Sequence, residues 1–170
     1  MLLLGLGSNL PSTFGDRFEN LNLAISYLEA YKIKIIKKSS FYETPSYPDT
    51  KNPKFINIVI EVSTSLSPED LASVLIFVEE KLERKRIKKN EPRTCDIDII
   101  DYNGKVMDFT YKNLIFKVPH EKLIYRNFVL FPLQEIVPKW VHPKNKDSID
   151  VLISKLSTQD KKSILKILKP

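Results

Sequence analysis

Residues 92–100 read Pro-Arg-Thr-Cys-Asp-Ile-Asp-Ile-Ile, and this stretch constrains the chain more than any other. Run as a strand, it puts Thr94, Asp96 and Asp98 on one face and Cys95, Ile97 and Ile99 on the other. One face enters a core and the other sets two carboxylates side by side. At roughly 7 Å and an effective dielectric near 20, such a pair repels by about 2 kcal/mol, a cost that a cation offsets. Mg²⁺ commonly binds through one or two carboxylates plus phosphate oxygens, and a pair at this spacing can hold two metals around a phosphoryl group. Arg93, next to the pair, is placed to hold a phosphate oxygen. The alternative is an edge strand whose acids face water.

Composition narrows the partners. A chain of 170 residues, 42% apolar and 28% charged, predicts one globular domain over 1–170. Its core is expected over about 1–143, with a helical extension over about 149–170. The formal charge of +6 favours an anionic partner: nucleic acid, nucleotide or phosphorylated metabolite. The single cysteine, Cys95, excludes an intrachain disulfide and belongs to the buried face of its strand. The opening Met1-Leu2-Leu3-Leu4 is too short for a signal sequence, and no later apolar run approaches a membrane span. A soluble, cytoplasmic protein is expected.

Residues 2–6 read as a buried strand closed by Gly5, Gly7 and Ser8-Asn9; this Gly-x-Gly is neither a phosphate loop nor a full dinucleotide fingerprint. Asp16 with Glu19 predicts a capped helix over 16–30, and residues 33–44 predict one long strand ended by Pro45. The proline-rich 45–53 loop is too long for a simple hairpin, which suggests function. Residues 55–63 alternate, with Ile56, Ile58, Ile60 and Val62 on one face and Phe55, Asn57, Val59 and Glu61 on the other. Phe55 and Asn57, two apart at the mouth of a long loop, can stack on and hydrogen-bond a flat heterocycle; an Asn satisfied by local backbone is the alternative.

Ser67-Pro68-Glu69-Asp70 starts a second helix, expected to reach about Arg84. The basic run at 84–89 then either complements the helix dipole or supplies phosphate contacts beside Arg93. Asn103-Gly104 predicts a hairpin turn. His120 and His142 suggest no role from pattern alone. Residues 149–168 read as one or two amphipathic helices covering the sheet. The order strand, helix, strand, strand, helix, strand predicts an α+β, ferredoxin-like βαββαβ sandwich, with an antiparallel sheet, helices on one face, and C-terminal additions.

Several motifs in order now resemble the hydroxymethyldihydropterin pyrophosphokinases of folate biosynthesis. They are Gly5-Leu6-Gly7-Ser8-Asn9-Leu10, Ser40-Phe41-Tyr42-Glu43-Thr44-Pro45, Phe55-Ile56-Asn57, Thr64-Ser65-Leu66-Ser67-Pro68, the stretch from Pro92 to Ile99, Val118-Pro119-His120 and the run from Arg126 to Leu133. The resemblance implies transfer of pyrophosphate from ATP to 6-hydroxymethyl-7,8-dihydropterin with two Mg²⁺ held by Asp96 and Asp98. It implies catalytic roles for Arg84, Arg93, Asp96 and Asp98, and pterin contacts from Thr44, Pro45, Phe55, Asn57 and Phe128. Around ATP it implies Glu79, Arg84, Arg86, Arg93, Ile99, His120 and Arg126. The expected partners are the two small-molecule substrates, with no nucleic acid, no membrane and a monomeric state. The 84–92 loop departs from the family in being short and carrying Glu91 where glycine is common, which bears on its nucleotide contacts.

Two rival readings follow from the same features. Another Mg²⁺-dependent nucleotidyl or phosphoryl transferase fits a Gly-Ser turn with an Asp-x-Asp, although Gly7-Ser8 and Asp96 are far apart. An RRM-like RNA-binding sheet fits topology and charge, but neither 55–63 nor 94–102 carries the required aromatic-rich strand.

Overall fold

The computed structural model describes residues 1–168. Strand β1 (Leu2–Ser8) leads to α1 (Arg17–Ala30), then β2 (Lys34–Lys38), β3 (Phe41–Thr44), β4 (Phe55–Ser63), α2 (Pro68–Lys81) and β5 (Asp96–Tyr102). Beyond this come β6 (Met107–Tyr111), β7 (Leu114–Val118), α3 (Asn127–Ile136), α4 (Ile149–Ser154), α5 (Thr158–Lys162) and β8 (Leu165–Ile167). The main sheet runs β5-β1-β4-β3-β8, with β2 also on β4; β1, β3 and β5 all lie antiparallel to their neighbours. This is the antiparallel α+β, ferredoxin-like arrangement.

Alternation decides which face of the sheet meets which helices. Leu4, Leu6, Ile56, Ile58, Ile60, Ile97 and Ile99 pack with Leu21, Leu28, Leu71 and Leu75 of α1 and α2. Each such buried aliphatic side chain contributes about 1.5–3 kcal/mol, against about 0–1 for an exposed ion pair, so this layer holds the fold. The opposite face is half covered: Leu3, Val59 and Ile100 pack under Leu130 and Leu133 of α3 and Leu152 of α4. The rest of that face carries the partly exposed Asp96 and Asp98 and the buried Asn57.

Both core helices start as their sequences predict. Asp16 and Glu19 form a reciprocal capping box at α1, and the Ser67 side chain accepts from Asp70 N at α2 with Pro68 in the first turn. Cys95 is fully buried. No helix among the described residues is long and apolar enough to cross a membrane.

Four local expectations are corrected. The 33–44 strand is two strands, because Ser39 Oγ accepts from Val59 N while Glu135 Oε1 accepts from Ser40 N. Helix α2 stops at Lys81: Leu82 caps it, and Glu83 takes φ +68, which turns the chain back before Arg84. Asn103 and Gly104 both have positive φ, but the turn does not make a hairpin with β5. Instead β6 pairs β7 in a separate two-stranded sheet, closed by Lys112 and Asn113, which also have positive φ. Finally, the C-terminal stretch is two short helices followed by a strand, since β8 pairs with the otherwise open edge of β3. Residues 169 and 170 of the expected extension lie outside the described residues.

Candidate active site

The sheet register builds the floor of the site. Gly7 pairs with Asp96 on one side and Asn57 on the other, and Asn57 pairs with Tyr42, so the four form one row across β5, β1, β4 and β3. Directly paired residues share a face, and Gly5 likewise pairs Asp98. With strands spaced about 4.8 Å apart, Asp96 and Asn57 stand roughly 10 Å from each other across a glycine. A Cβ at Gly7 would lie 3.1 Å from Asn57 Oδ1 and 3.5 Å from the Phe55 ring. Glycine therefore keeps open the gap between the amide and the acid. Its meaning was hidden in the sequence, because it depends on what the neighbouring strands place beside it.

Asn57 is buried, and its Nδ2 donates to Thr44 Oγ1 at 3.0 Å and to the Tyr42 carbonyl at 3.4 Å. Local groups take its N–H bonds, while its Oδ1 lies toward Gly7. Phe55 sits at the end of the same face, with the Arg93 guanidinium 4.9 Å from its ring centroid. Pro45 directly follows Thr44 in chain order, and Phe128, at the start of α3, lies under Arg126 at 5.4 Å.

Three arginines converge on the acid pair. Arg84 Nη1 donates to Asp96 Oδ1 and to Glu79 Oε1, both at 2.7 Å, and Arg93 Nη2 reaches Asp96 Oδ2 at 3.2 Å. Arg126 Nη1 donates to Asp98 Oδ2 at 2.9 Å. Burial raises the Asp96 carboxyl, but the Arg93 and Arg84 cations outweigh it and hold the group below the usual carboxylate range. Asp98 goes the other way, pushed up by burial and then by the Asp96 charge. The two carboxylates thus have a real like-charge conflict.

Glu79, only 2% exposed, lies beneath this layer and binds Arg84, Arg86 and the Ile97 N–H. Burial, followed by the Asp96 charge, raises its carboxyl to about 7. It orients two arginines and the start of strand β5 from below. A cleft beside the acids is lined by Glu79, Arg86, Asp96, Asp98, Ile99, His120 and the β7 strand from Leu114 to Val118. His120 there is shifted down by burial, which favours the neutral ring.

Asn9, at the turn after β1, joins three loops. Its Oδ1 accepts from Arg93 N at 2.7 Å, and its Nδ2 donates to Ser46 Oγ at 3.1 Å and the Pro53 carbonyl at 3.0 Å. Pattern reasoning had no means to find it, since its partners lie 37 to 84 residues away. Among the described residues, no three His, Cys, Asp or Glu side chains form a metal cage of their own. The chemistry on offer is two hard carboxylates with three arginines on them, and beyond Gly7 on the same face an amide with Phe55 beside it.

Together the sheet and the site define a ferredoxin-like α+β protein with a carboxylate–arginine cluster at one end of a strand row that runs over Gly7 to Asn57. Residues 3–138 match the family profile of 7,8-dihydro-6-hydroxymethylpterin-pyrophosphokinase (HPPK). A 2-amino-4-hydroxy-6-hydroxymethyldihydropteridine pyrophosphokinase of Synechocystis is 34% identical over 155 residues, 91% of this chain and 75% of that protein. One from Aquifex aeolicus is 38% identical over 140 residues, 82% of each. The chain belongs to the HPPK family. It also spans 98% of its own length but only 47% of a Plasmodium falciparum HPPK-DHPS chain solved with SDX-DHP, with a TM-score of 0.74 at 18% identity, a likeness of fold.

Proposed function

We infer that this chain transfers the terminal pyrophosphate of ATP to the hydroxymethyl group of 6-hydroxymethyl-7,8-dihydropterin, giving AMP and the pterin diphosphate, a step of folate biosynthesis. Family membership supports this activity. The residue roles are supported by one observation, the row from Asp96 over Gly7 to Asn57, which in this reading sets the pterin beside the polyphosphate.

In this reading the pterin lies over Gly7, its edge held by Asn57 and Thr44 with Pro45 alongside, and its faces covered by Phe55 and Phe128. Asn57 Oδ1 accepts from ring N–H groups, and the Thr44 and Tyr42 contacts fix the amide so that Oδ1 faces inward. ATP lies in the cleft along Ile99 and β7. Arg84, Arg86, Arg93, His120 and Arg126 meet its phosphates, exchanging carboxylate contacts for phosphate oxygens, and Glu79 orients Arg84 and Arg86 from below.

The donor set fits Mg²⁺. Asp96 and Asp98 are hard oxygen ligands two residues apart on one face, and since no three acidic, His or Cys side chains among the described residues form a metal cage, phosphate oxygens and water would complete the coordination. Bound there, two Mg²⁺ ions supply charge neutralisation for the polyphosphate and polarise the attacking oxygen. The protein's own residues do the positioning. The pterin hydroxyl oxygen attacks the β-phosphorus, the bond from that phosphorus to the α,β-bridging oxygen breaks, AMP leaves with that oxygen, and the hydroxyl proton passes to water. Arg84 and Arg93 face the phosphorus centre and stabilise the charge moving onto the bridging oxygen, an effect worth about 2.7–4 kcal/mol per well-placed donor. Arg93 Nε is buried with no partner among the described residues, a donor with bonding capacity still to spend.

Incubation of the purified chain with ATP, Mg²⁺ and the pterin tests the reading. AMP that forms only when the pterin is present supports it, whereas ADP or no turnover by the folded protein contradicts it.

A further inference from the structure

The family profile ends at residue 138, yet the chain beyond it returns to the pterin slot of this reading. Helix α5 is only five residues long, so its last carbonyls lack helical partners. One of them, the Asp160 carbonyl, accepts from Asn127 Nδ2 at 2.7 Å, and the same Nδ2 reaches Ser163 Oγ at 3.1 Å. Asn127 is buried, stands at the first position of α3, and lies between Arg126 and Phe128. Two residues after Ser163 the chain enters β8, which pairs residue by residue with Phe41, Tyr42 and Glu43 of β3. Lys166 in that strand lies 3.6 Å from Glu135 of α3, whose carboxylate also accepts from Tyr42 Oη at 2.5 Å.

Residues 157–167 thus grip both sides of the slot: α3, which carries Phe128, and β3, which ends in Thr44. We propose that this segment is a brace that sets the separation of α3 and β3 for the pterin ring, with Asn127 as its positioning residue. Asn127 touches no substrate and acts through Phe128. The brace should favour pterin over ATP affinity, because Arg126 has its own anchor on Asp98 and the remaining arginines hang on α2 and β5. Its two grips differ in kind. The strand pairing is made of backbone bonds, whereas the hold on α3 depends on one carboxamide that a single substitution removes.

The proposal rests on the pterin reading of the slot, and the test separates the two. Full-length wild type, Asn127→Ala and Ser163→Ala are titrated at equilibrium with 6-hydroxymethylpterin by fluorescence and with MgATP by calorimetry, and each is melted. Loss of the amide's two bonds raises the pterin Kd of Asn127→Ala by about tenfold, with MgATP within about twofold. Ser163→Ala, which keeps the Asp160 bond, shifts the same way by less. A lowered Tm with wild-type pterin affinity overturns the brace, as does an equal loss of both ligands, which would mean general loosening. If Asn127→Ala does not fold, Ser163→Ala decides by the same criterion. A wild type that binds MgATP but no pterin overturns the reading of the slot and the brace with it; a wild type that binds both, alongside an unaffected Asn127→Ala, overturns the brace alone.

Discussion

Replacing Gly7 with alanine separates the fold from the slot. Gly7 is not among the positive-φ glycines, Gly15 and Gly104, so alanine meets no backbone strain there. The added methyl reaches 3.1 Å from Asn57 Oδ1, tight enough that the amide must give by a few tenths of an ångström, and 3.5 Å from Phe55, an ordinary contact. Strand β1 should lose little, and alanine offsets about 0.5–1 kcal/mol of the conformational entropy that glycine costs in a strand. A planar ring resting on that floor has no such latitude. Overpacking by one methyl costs about 1–3 kcal/mol, which is about a 5- to 150-fold rise in pterin Kd. MgATP, held along β7 and the arginines, should bind as before. The assay is paired titration of pterin and MgATP with a melting curve. A folded Gly7→Ala that binds pterin within about twofold of wild type would show that the ring does not lie on this row.

Three further outcomes follow from the geometry. Asp96→Asn and Asp98→Asn should each lower turnover by about 10²-fold or more, with stability changed by no more than about 1 kcal/mol because both carboxylates are partly exposed; steady-state kinetics and urea unfolding decide this. The neutral His142 ring accepts from Lys144 N and Asn145 N through Nδ1, and burial depresses its folded-state pKa. Its stabilising effect is therefore full above the unfolded pKa of about 6.5 and lost as pH falls through the lower folded value, so the Tm of wild type should drop more between pH 7 and 5 than that of His142→Asn. Glu91 Oε1 accepts from Ile87 N and closes the basic loop on itself. Glu91→Ala should speed tryptic cleavage at Lys88 and Lys89 and raise the KM for ATP, while Glu91→Gln, which keeps an acceptor, should do neither. Equal effects of both substitutions would mean that charge, and not loop closure, is what matters.

Features legible in the sequence were those with a local period or cap. The alternation at 55–63 and 96–99 assigned faces, and Asp16, Glu19, Ser67 and Pro68 marked the starts of both core helices. Long-range partners defeated the rest. The break at Ser39-Ser40 depends on Glu135, and Leu165-Lys166-Ile167 becomes a strand only because β3 offers an edge. Arg84 reads as the tail of a helix, yet the left-handed turn at Glu83 carries it to Asp96. Gly5 and Gly7 look like a loop signature until the register sets them between two acids and an amide.

The identity of the nucleotide product tests the central claim most directly. Phosphorus NMR of the purified chain with ATP, Mg²⁺ and 6-hydroxymethyl-7,8-dihydropterin should show AMP and a pterin diphosphate rising together, with neither formed when the pterin is omitted. ADP with a pterin monophosphate, or no transfer by a folded protein that binds both substrates, would contradict the account.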